Sequence, residues 1–101
     1  MYSVSQYCAL VAEILLAAEL PDEAGTALDQ ADLLADAHGE GFTEPLRRLL
    51  RAMVVQARGE PAGVARAAAA QAKAISVERG TYVIARRAEE LTAAISPSAG
   101  D

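Results

Sequence analysis

The sequence predicts an all-α fold in which five antiparallel helices form helical hairpins that repeat two and a half times. Two apolar patterns recur along the chain, which is typical of stacked helical units in a solenoid. About a quarter of the residues are alanine, aromatic residues make up 4% and Trp is missing, which favours closely packed helices over a sheet. Pro and Gly stand between the patterns, where helices begin and end.

The repeated patterns consist of matched apolar positions in two parts of the chain. The first comprises Leu10, Val11, Ile14, Leu15 and Ala18 and recurs 39 residues later as Leu49, Leu50, Met53, Val54 and Ala57. The second comprises Ala24, Leu28, Ala31 and Leu34 and recurs 41 residues later as Ala65, Ala69, Ala72 and Ile75. We interpret the difference in offset as a small difference in loop length between two copies of one helix-turn-helix unit.

Helix 1 is predicted from about Ser3 to Glu19. The positions predicted to share one face at helical spacing are Val4, Tyr7, Val11, Ile14 and Ala18. Glu13 and Glu19 interrupt this apolar stretch, and no Lys or Arg precedes it. The pattern therefore favours a core helix over a signal peptide or a membrane span.

Helices 2 and 3 have clear boundary signals. Pro21 suits the first turn of helix 2 because its N–H is not needed there, and Gly39 is placed to end the helix after His38. Thr43 is the candidate N-cap of helix 3, with Pro45 in the first turn. Helix 3 is predicted to extend to residue 58 and to carry the apolar residues Leu46, Leu49, Leu50, Met53 and Ala57.

Helices 4 and 5 complete the predicted domain. Residues 59–61 form a turn, helix 4 extends to about Arg79, and Gly80 is placed as its cap. Helix 5 follows Thr81, and its buried face is predicted to comprise Ile84, Ala88, Leu91 and Ile95. We predict one helical-repeat domain over residues 1–95 and a disordered tail over residues 96–101, because Ser96-Pro97 stops the last helix.

Two stretches resemble a known repeat family. The run Leu20-Pro21-Asp22-Glu23-Ala24, followed by Ala27, Leu28 and Ala31, resembles the second helix of a tetratricopeptide-type repeat. The run Arg58-Gly59-Glu60-Pro61-Ala62, followed by an Ala-rich helix that ends in Glu78-Arg79-Gly80, resembles the next repeat. Over about residues 4–95 the chain is similar to the C-terminal helical-repeat regions of actinobacterial LuxR-type and AfsR-type regulators and of some regulatory cyclases. The resemblance implies a regulatory setting.

The chain departs from that family in its longer period and in its single candidate, Tyr7, for the aromatic residue expected in each first helix. Two full repeats plus one helix are fewer than about three repeats, the number normally needed for a stable solenoid. Helices 1 and 5 would each leave one flank uncovered. We therefore expect self-association or docking onto another chain.

Charge is distributed unevenly. Residues 1–45 hold nine acidic residues and no Lys or Arg, whereas residues 46–101 hold nine basic and five acidic residues, so the halves carry −9 and +4 within a net charge of −5. The acids of helix 2 that share one stripe are Asp22, Asp29, Asp32 and Asp36, and the arginines that form a stripe on helix 3 are Arg47, Arg51 and Arg58. These stripes either neutralise each other inside one molecule or meet between molecules; solvated charged faces are the plain alternative.

The candidate partner-binding residues are Arg47, Arg51, Arg58 and Tyr82. We predict that the three arginines lie on the inner surface lined by the first helices and receive an acidic segment of a partner. Tyr82 lies away from the predicted core face of helix 5, so it either contacts a partner or packs over the turn between helices 4 and 5. Tyr2 is either an interface residue or part of a frayed end.

Other functions find little support in the sequence. The negative net charge and the basic residues without interleaved aromatics argue against nucleic acid. His38 is the one histidine and Cys8 the one cysteine, so metal-ligand spacing and a disulfide are missing, and Cys8 lies in an apolar helix without an orienting group for catalysis. We predict that the chain is not an enzyme, binds no cofactor, metal or membrane, and belongs to a reducing, cytoplasmic compartment.

The sequence thus predicts a non-catalytic protein-protein interaction module of a bacterial regulatory system that binds a protein partner or itself as a homo-oligomer. The alternative is a small-ligand-sensing helical domain of a transcriptional regulator, which an apolar pocket with a few convergent polar groups would indicate. A structural fragment of a larger regulator is the third interpretation.

Overall fold

Five α-helices and one 3-10 turn make up residues 3–95, the part of the chain that the computed structural model describes. The helices are α1 (Val4–Ala17), α2 (Pro21–His38), α3 (Glu44–Ala57), α4 (Ala62–Glu78) and α5 (Tyr82–Ala94), and the 3-10 turn (Gly41–Thr43) lies between α2 and α3. The predicted all-α class is confirmed. Tyr2 and the predicted tail, residues 96–101, lie outside the described residues.

Proline and glycine set several helix ends at the predicted places. Pro21 is the first residue of α2, and Gly39 ends that helix with a left-handed φ of 66°. Gly59 and Gly80 follow α3 and α4 with φ values of 75° and 74°. At the end of α1 the left-handed residue is Glu19, with φ 62°, although a left-handed conformation costs a residue with a side chain roughly 1–2 kcal/mol.

The start of α3 differs from the prediction. Thr43 precedes α3 but makes no side-chain cap, because it already has helical backbone angles as part of the 3-10 turn. Its hydroxyl instead donates to the Glu40 carbonyl oxygen at 2.9 Å and accepts from Arg47 Nε at 2.9 Å. A side-chain cap is present at α1, where Ser3 Oγ accepts the Gln6 N–H at 3.0 Å.

Neighbouring helices pack in chain order. The closest packing joins α1 to α2, α3 to α4 and α4 to α5, and further contacts of α3 with α1, α2 and α5 make it the central helix. Arg58, just after α3, bonds to Asp22 at the start of α2, and Arg79, just after α4, bonds to Glu44 at the start of α3. These bonds require that α3 run opposite to both α2 and α4. The molecule measures 45 × 29 × 18 Å.

Small side chains build most of the core. Alanines alternate with a few larger residues, so the helix backbones approach closely. One cluster comprises Ala9, Ala12, Ala24, Leu28, Leu50 and Val54, and a second comprises Leu49, Ala72 and Ala88. The predicted inner faces of α2, α4 and α5 are confirmed, since their members are buried or half-buried.

The predicted core face of helix 1 is wrong. Val4, Tyr7 and Ile14 are exposed, and the buried residues of α1 are Ser5, Ala9 and Ala12. The reason is that α1 is apolar on nearly every side, so hydrophobic spacing alone does not select the face that packs. The side with small residues packs inward because small side chains let α2 and α3 approach α1 closely.

The same ambiguity affects the predicted correspondence between the apolar positions of α1 and α3. The offset of 39 residues pairs exposed Ile14 with half-buried Met53 and exposed Leu10 with buried Leu49. At an offset of 40, exposed Leu10 and Ile14 match buried Leu50 and Val54, but the three buried positions of α1 match buried positions of α3. They are Ser5, Ala9 and Ala12 in α1 and Pro45, Leu49 and Ala52 in α3.

Candidate interaction surface

The arginine stripe of α3 lies against the acidic stripe of α2. Arg47 Nη1 donates to Asp32 Oδ1 at 2.6 Å, and Arg51 Nη2 donates to Asp32 Oδ2 at 3.2 Å and to Asp29 Oδ1 at 2.9 Å. The stripes therefore neutralise each other within one molecule, the first of the two outcomes that the sequence left open.

Arg58 extends this seam to the end of α3. Its Nε donates to Asp22 Oδ1 at 3.0 Å, and its guanidinium lies across Gly25 of α2. A Cβ at Gly25 would come within 2.9 Å of Arg58 Nη2. The absence of a side chain at Gly25 therefore leaves room for the Arg58 guanidinium. The arginine side chains differ in exposure, from 12% at Arg47 to 34% at Arg51 and 41% at Arg58. Partner binding by these three residues stays a prediction.

An open groove of about 610 Å³ lies beside the seam, where α2 ends and α3 begins. Its walls mix both signs of charge and comprise Asp32, Ala35, Asp36, Gly39, Gly41, Glu44, Arg47, Arg48 and Arg51. The hydrogen bond from Arg48 Nη2, at 3.0 Å, is the main cause that lowers the pKa of Glu44 below its ordinary value of 4.5. Arg79 adds a second ion pair to Glu44 at 3.0 Å. Within the groove, Asp32 and Glu44 are thus already ion-paired with arginines.

A smaller groove of about 300 Å³ lies between α3 and α5. It is lined by Leu49, Met53, Arg87, Glu90 and Leu91. Arg87 Nη2 also donates to Glu13 Oε2 of α1 at 3.3 Å. This bond joins α1 to α5, the two outer helices that flank α3.

Polar contacts fix the start of α1 on the rest of the molecule. The Ser5 N–H donates to Glu40 Oε1 at 3.1 Å, and the hydroxyls of Ser5 and Thr43 are hydrogen-bonded at 3.2 Å. The hydrogen bond from the Ser5 side chain is the largest cause that lowers the pKa of Glu40. These bonds hold the side of α1 that carries Ser5, Ala9 and Ala12 against the rest of the molecule. The large apolar residues on the opposite side of α1 therefore face outward.

The outward side of α1, which we call the α1 face, is the main surface that sequence reasoning misplaced. It comprises Val4, Tyr7, Leu10, Val11 and Ile14. Tyr7 is 63% exposed and Ile14 is 66% exposed, while Val4 and Leu10 are 49% and 37% exposed. The signal was present in the sequence, because these residues follow a helical 3-4 spacing and include no charged residue.

The α5 helix presents a smaller apolar surface. Tyr82 is 69% exposed and Val83 is 77% exposed at its first two positions. Tyr82 is therefore exposed at the turn between α4 and α5, and its proposed contact with a partner stays a prediction. Cys8 is half-buried in α1, and His38 is exposed at the end of α2.

Comparisons with known proteins add no relative: no family model, no curated protein and no solved structure matches the chain. Within residues 3–95, no group of three or more His, Cys, Asp and Glu side chains is placed to hold a metal ion. None of the described helices combines the length and the apolar character needed to cross a membrane. The fold itself assigns the chain to the all-α class.

Proposed function

We propose that this chain is a non-catalytic protein-protein interaction module of a cytoplasmic bacterial regulatory system. The observation that carries the proposal is the exposed α1 face. A helix that is apolar all round is normally buried all round, yet α1 leaves Tyr7 and Ile14 about two-thirds exposed. A contiguous apolar patch of this kind marks a site of interaction with another protein.

A tetratricopeptide-like repeat architecture belongs to the same proposal. The buried residues Ala24, Leu28, Ala31 and Ala35 of α2 correspond, at a constant offset of 41 residues, to the buried residues Ala65, Ala69, Ala72 and Ser76 of α4. The first helices, α1 and α3, are both 14 residues long, and the second helices are 18 and 17 residues long. On this reading α5 is the first helix of a third unit, which leaves α1 and α5 as the terminal helices.

The arginines of α3 have a secondary part in the proposal. An acidic segment of a partner would compete with Asp22, Asp29 and Asp32 for them. Arg51 and Arg58 are the better candidates, because they are more exposed than Arg47 and do not bond to Thr43. Exchange of one carboxylate for another affects the choice of partner more than the affinity.

The test compares matched charge substitutions on two exposed apolar residues. Tagged wild-type chain, Ile14→Lys and Val83→Lys are used to isolate proteins from the native cell, with an untagged copy of the chain present. We expect a protein that wild type and Val83→Lys retain and Ile14→Lys loses, and the same pattern when that protein is purified and mixed with each variant. Circular dichroism checks that all three chains keep the same helicity.

If neither another protein nor the untagged copy is retained in a manner that depends on Ile14, the proposed function is wrong. An Arg51→Glu, Arg58→Glu double variant tests the arginines separately. Unchanged retention by that variant would remove them from the partner-binding surface while leaving the α1 face in place.

The groove between α3 and α5 favours small-ligand sensing as a second candidate function. Leu49, Met53 and Leu91 supply apolar walls, Arg87 and Glu90 supply polar groups, and the volume of about 300 Å³ is at the lower end for ligand pockets. Decanoate, an apolar chain with a carboxylate, is a suitable probe. A rise in the unfolding temperature that Leu91→Gln abolishes would support this function, and no rise at millimolar decanoate would count against it.

A further inference from the structure

We propose that the α1 face binds the α1 face of a second copy of this chain, in an antiparallel pair related by a two-fold axis. This inference rests on the proposed function and names the partner of the surface that carries it. The two-fold axis would pass between Leu10 and Val11, the midpoint of the α1 face.

The α1 face is complementary to itself about that midpoint. Tyr7 and Ile14, its most exposed members, lie at equal distances from the midpoint on either side. An antiparallel two-fold pair therefore places Tyr7 of each copy against Ile14 of the other. Leu10 meets its own counterpart across the axis, and so does Val11. The same patch of each copy contacts that patch of the other copy, as a two-fold interface requires.

Formation of this pair buries no unpaired charge. The α1 face contains no ionisable group except the tyrosine hydroxyl, which lies at the tip of an otherwise apolar side chain. Glu13, at the edge of the face, already accepts a hydrogen bond from Arg87 of the same molecule. The desolvation penalty that disfavours buried ions therefore does not arise.

The charges at the two ends of α1 favour the antiparallel orientation. Glu19 follows α1 and Glu23 lies in the first turn of α2, so the C-terminal end of α1 is acidic. The first turn of α1 has no acidic residue, and Glu40, which lies beside it, is engaged by the Ser5 N–H. An antiparallel pair places each acidic end beside the other copy's N-terminal end, which is the positive end of the helix dipole. A parallel pair would oppose acid to acid.

The area of the α1 face predicts a weak dimer. The exposed fractions of its members correspond to roughly 400 Å² per copy, a size at which patches on monomers are often functional. Two copies then bury roughly 800 Å² together, below the 1,200–2,000 Å² of stable interfaces. We therefore expect weak, reversible association and not a permanent dimer.

Sedimentation equilibrium between about 10 µM and about 1 mM tests the pair directly. The average mass of wild type and of Val83→Lys should rise from 10.5 kDa towards twice that value, and Ile14→Lys should weaken association by at least about tenfold. Because the interface is apolar and each copy carries a net charge of −5, added NaCl should leave the affinity unchanged or raise it. A marked fall with salt would assign association to charged surfaces and overturn the proposal.

Cysteine cross-linking, in a Cys8→Ser background, tests the orientation. With a mild oxidant such as copper phenanthroline added to accept the two electrons, Leu10→Cys should form a disulfide between copies, because the two Leu10 positions are about 1.5 Å apart along the antiparallel helix axes. Val4→Cys is the matched control, since its two copies would be about 20 Å apart along the axes. Cross-linking of Val4→Cys, whether or not Leu10→Cys also cross-links, would indicate a parallel pair and refute the antiparallel one, because a parallel pair places every residue level with its own counterpart.

A charge pair tests the register independently. The double variant Tyr7→Lys, Ile14→Glu should associate more tightly than the double variant Tyr7→Lys, Ile14→Lys, because each introduced lysine faces a glutamate of the other copy. Equal association of the two variants would contradict the contact between Tyr7 and Ile14. All these substitutions lie at exposed positions, so helicity should not change.

The outcomes separate this inference from the proposed function. If wild type stays at 10.5 kDa up to about 1 mM while another protein binds in a manner that depends on Ile14, the second-copy inference is wrong and the proposed function stands. If no binding of either kind depends on Ile14, both are wrong.

Discussion

The end of α1 allows a test of backbone strain at a single residue. After α1, Glu19 N–H donates to the Leu16 oxygen at 3.0 Å and Leu20 N–H donates to the Leu15 oxygen at 2.9 Å. The ends of α3 and α4 have the same pair of hydrogen bonds, but there the left-handed residue is Gly59 or Gly80. Substitution of Glu19 by glycine should therefore stabilise the protein.

The magnitude follows from two opposing effects. A residue with a side chain loses roughly 1–2 kcal/mol in the left-handed region, and glycine avoids this loss. Glycine in turn gives the unfolded chain more freedom, which costs roughly 0.5–1 kcal/mol. The net gain for Glu19→Gly is about 1 kcal/mol, which raises the unfolding temperature of a domain of this size by roughly 4–8 °C.

Urea unfolding followed by circular dichroism, at about 10 µM protein to keep the chain monomeric, measures the effect. Glu19→Ala is the control, because it removes the charge at the helix C-terminus and keeps the strain. We expect little change for Glu19→Ala, and Gly80→Ala should destabilise by about 1 kcal/mol. If Glu19→Ala stabilises as much as Glu19→Gly, repulsion between the carboxylate and the helix dipole is the cause, and the reasoning from φ is wrong.

Three further predictions concern the core, the charged seam and acid stability. Leu50→Ala should lower the free energy of unfolding by about 2–5 kcal/mol, because Leu50 is fully buried; a loss below about 1 kcal/mol in urea unfolding would contradict its place in the core. A double-mutant cycle on Arg47→Ala and Asp32→Ala should give a coupling energy of about 1 kcal/mol at most, because Asp32 is half-exposed. The folded-state pKa values of Glu40 and Glu44 lie below the ordinary 4.5, so the stability that these groups add is present above pH 4.5 and is lost as pH falls through the lowered values. Glu44→Gln should therefore unfold at a lower temperature than wild type at about pH 6, and this difference should shrink as pH falls below 4.5. A difference that does not change with pH would refute the linkage.

Helix ends could be predicted because their signals are local. Pro21 fits the first turn of a helix without a lost hydrogen bond, and Gly39 and Gly80 adopt the left-handed conformation that ends one. The prediction that Thr43 caps α3 was wrong for an equally local reason. A threonine before Glu44-Pro45 is a common N-cap pattern, but here a 3-10 turn continues into α3 and gives the hydroxyl other partners.

The packed side of α1 could not be predicted from hydrophobicity, because both of its sides are apolar. The choice is made by Ala9 and Ala12, whose small size allows close approach, and by the hydrogen bonds of Ser5 with Glu40 and Thr43. The two residues in each of these bonds are separated by 35 or 38 positions in the sequence, so no local sequence pattern predicts them. The pairing between α2 and α3, by contrast, could be predicted, because acids and arginines occur at matching helical spacing on the two helices. The sequence left open only whether the two stripes would pair within one molecule or between two molecules.

The pairing of the two charged stripes within one molecule affects which partners the protein can recognise. Arginines from residues 46–101 compensate acids from residues 1–45 at close range, as in the pairs of Arg47 with Asp32 and of Arg87 with Glu13. The electrostatic field around α1 is consequently weaker than the −9 charge of its half of the chain suggests. Ion pairs in this molecule thus connect α2 to α3 and α1 to α5, whereas the α1 face contains no charged residue. On the proposal above, a partner of the α1 face is therefore selected by apolar shape, and the α1 face of a second copy, with the same spacing and no charged member, meets that requirement.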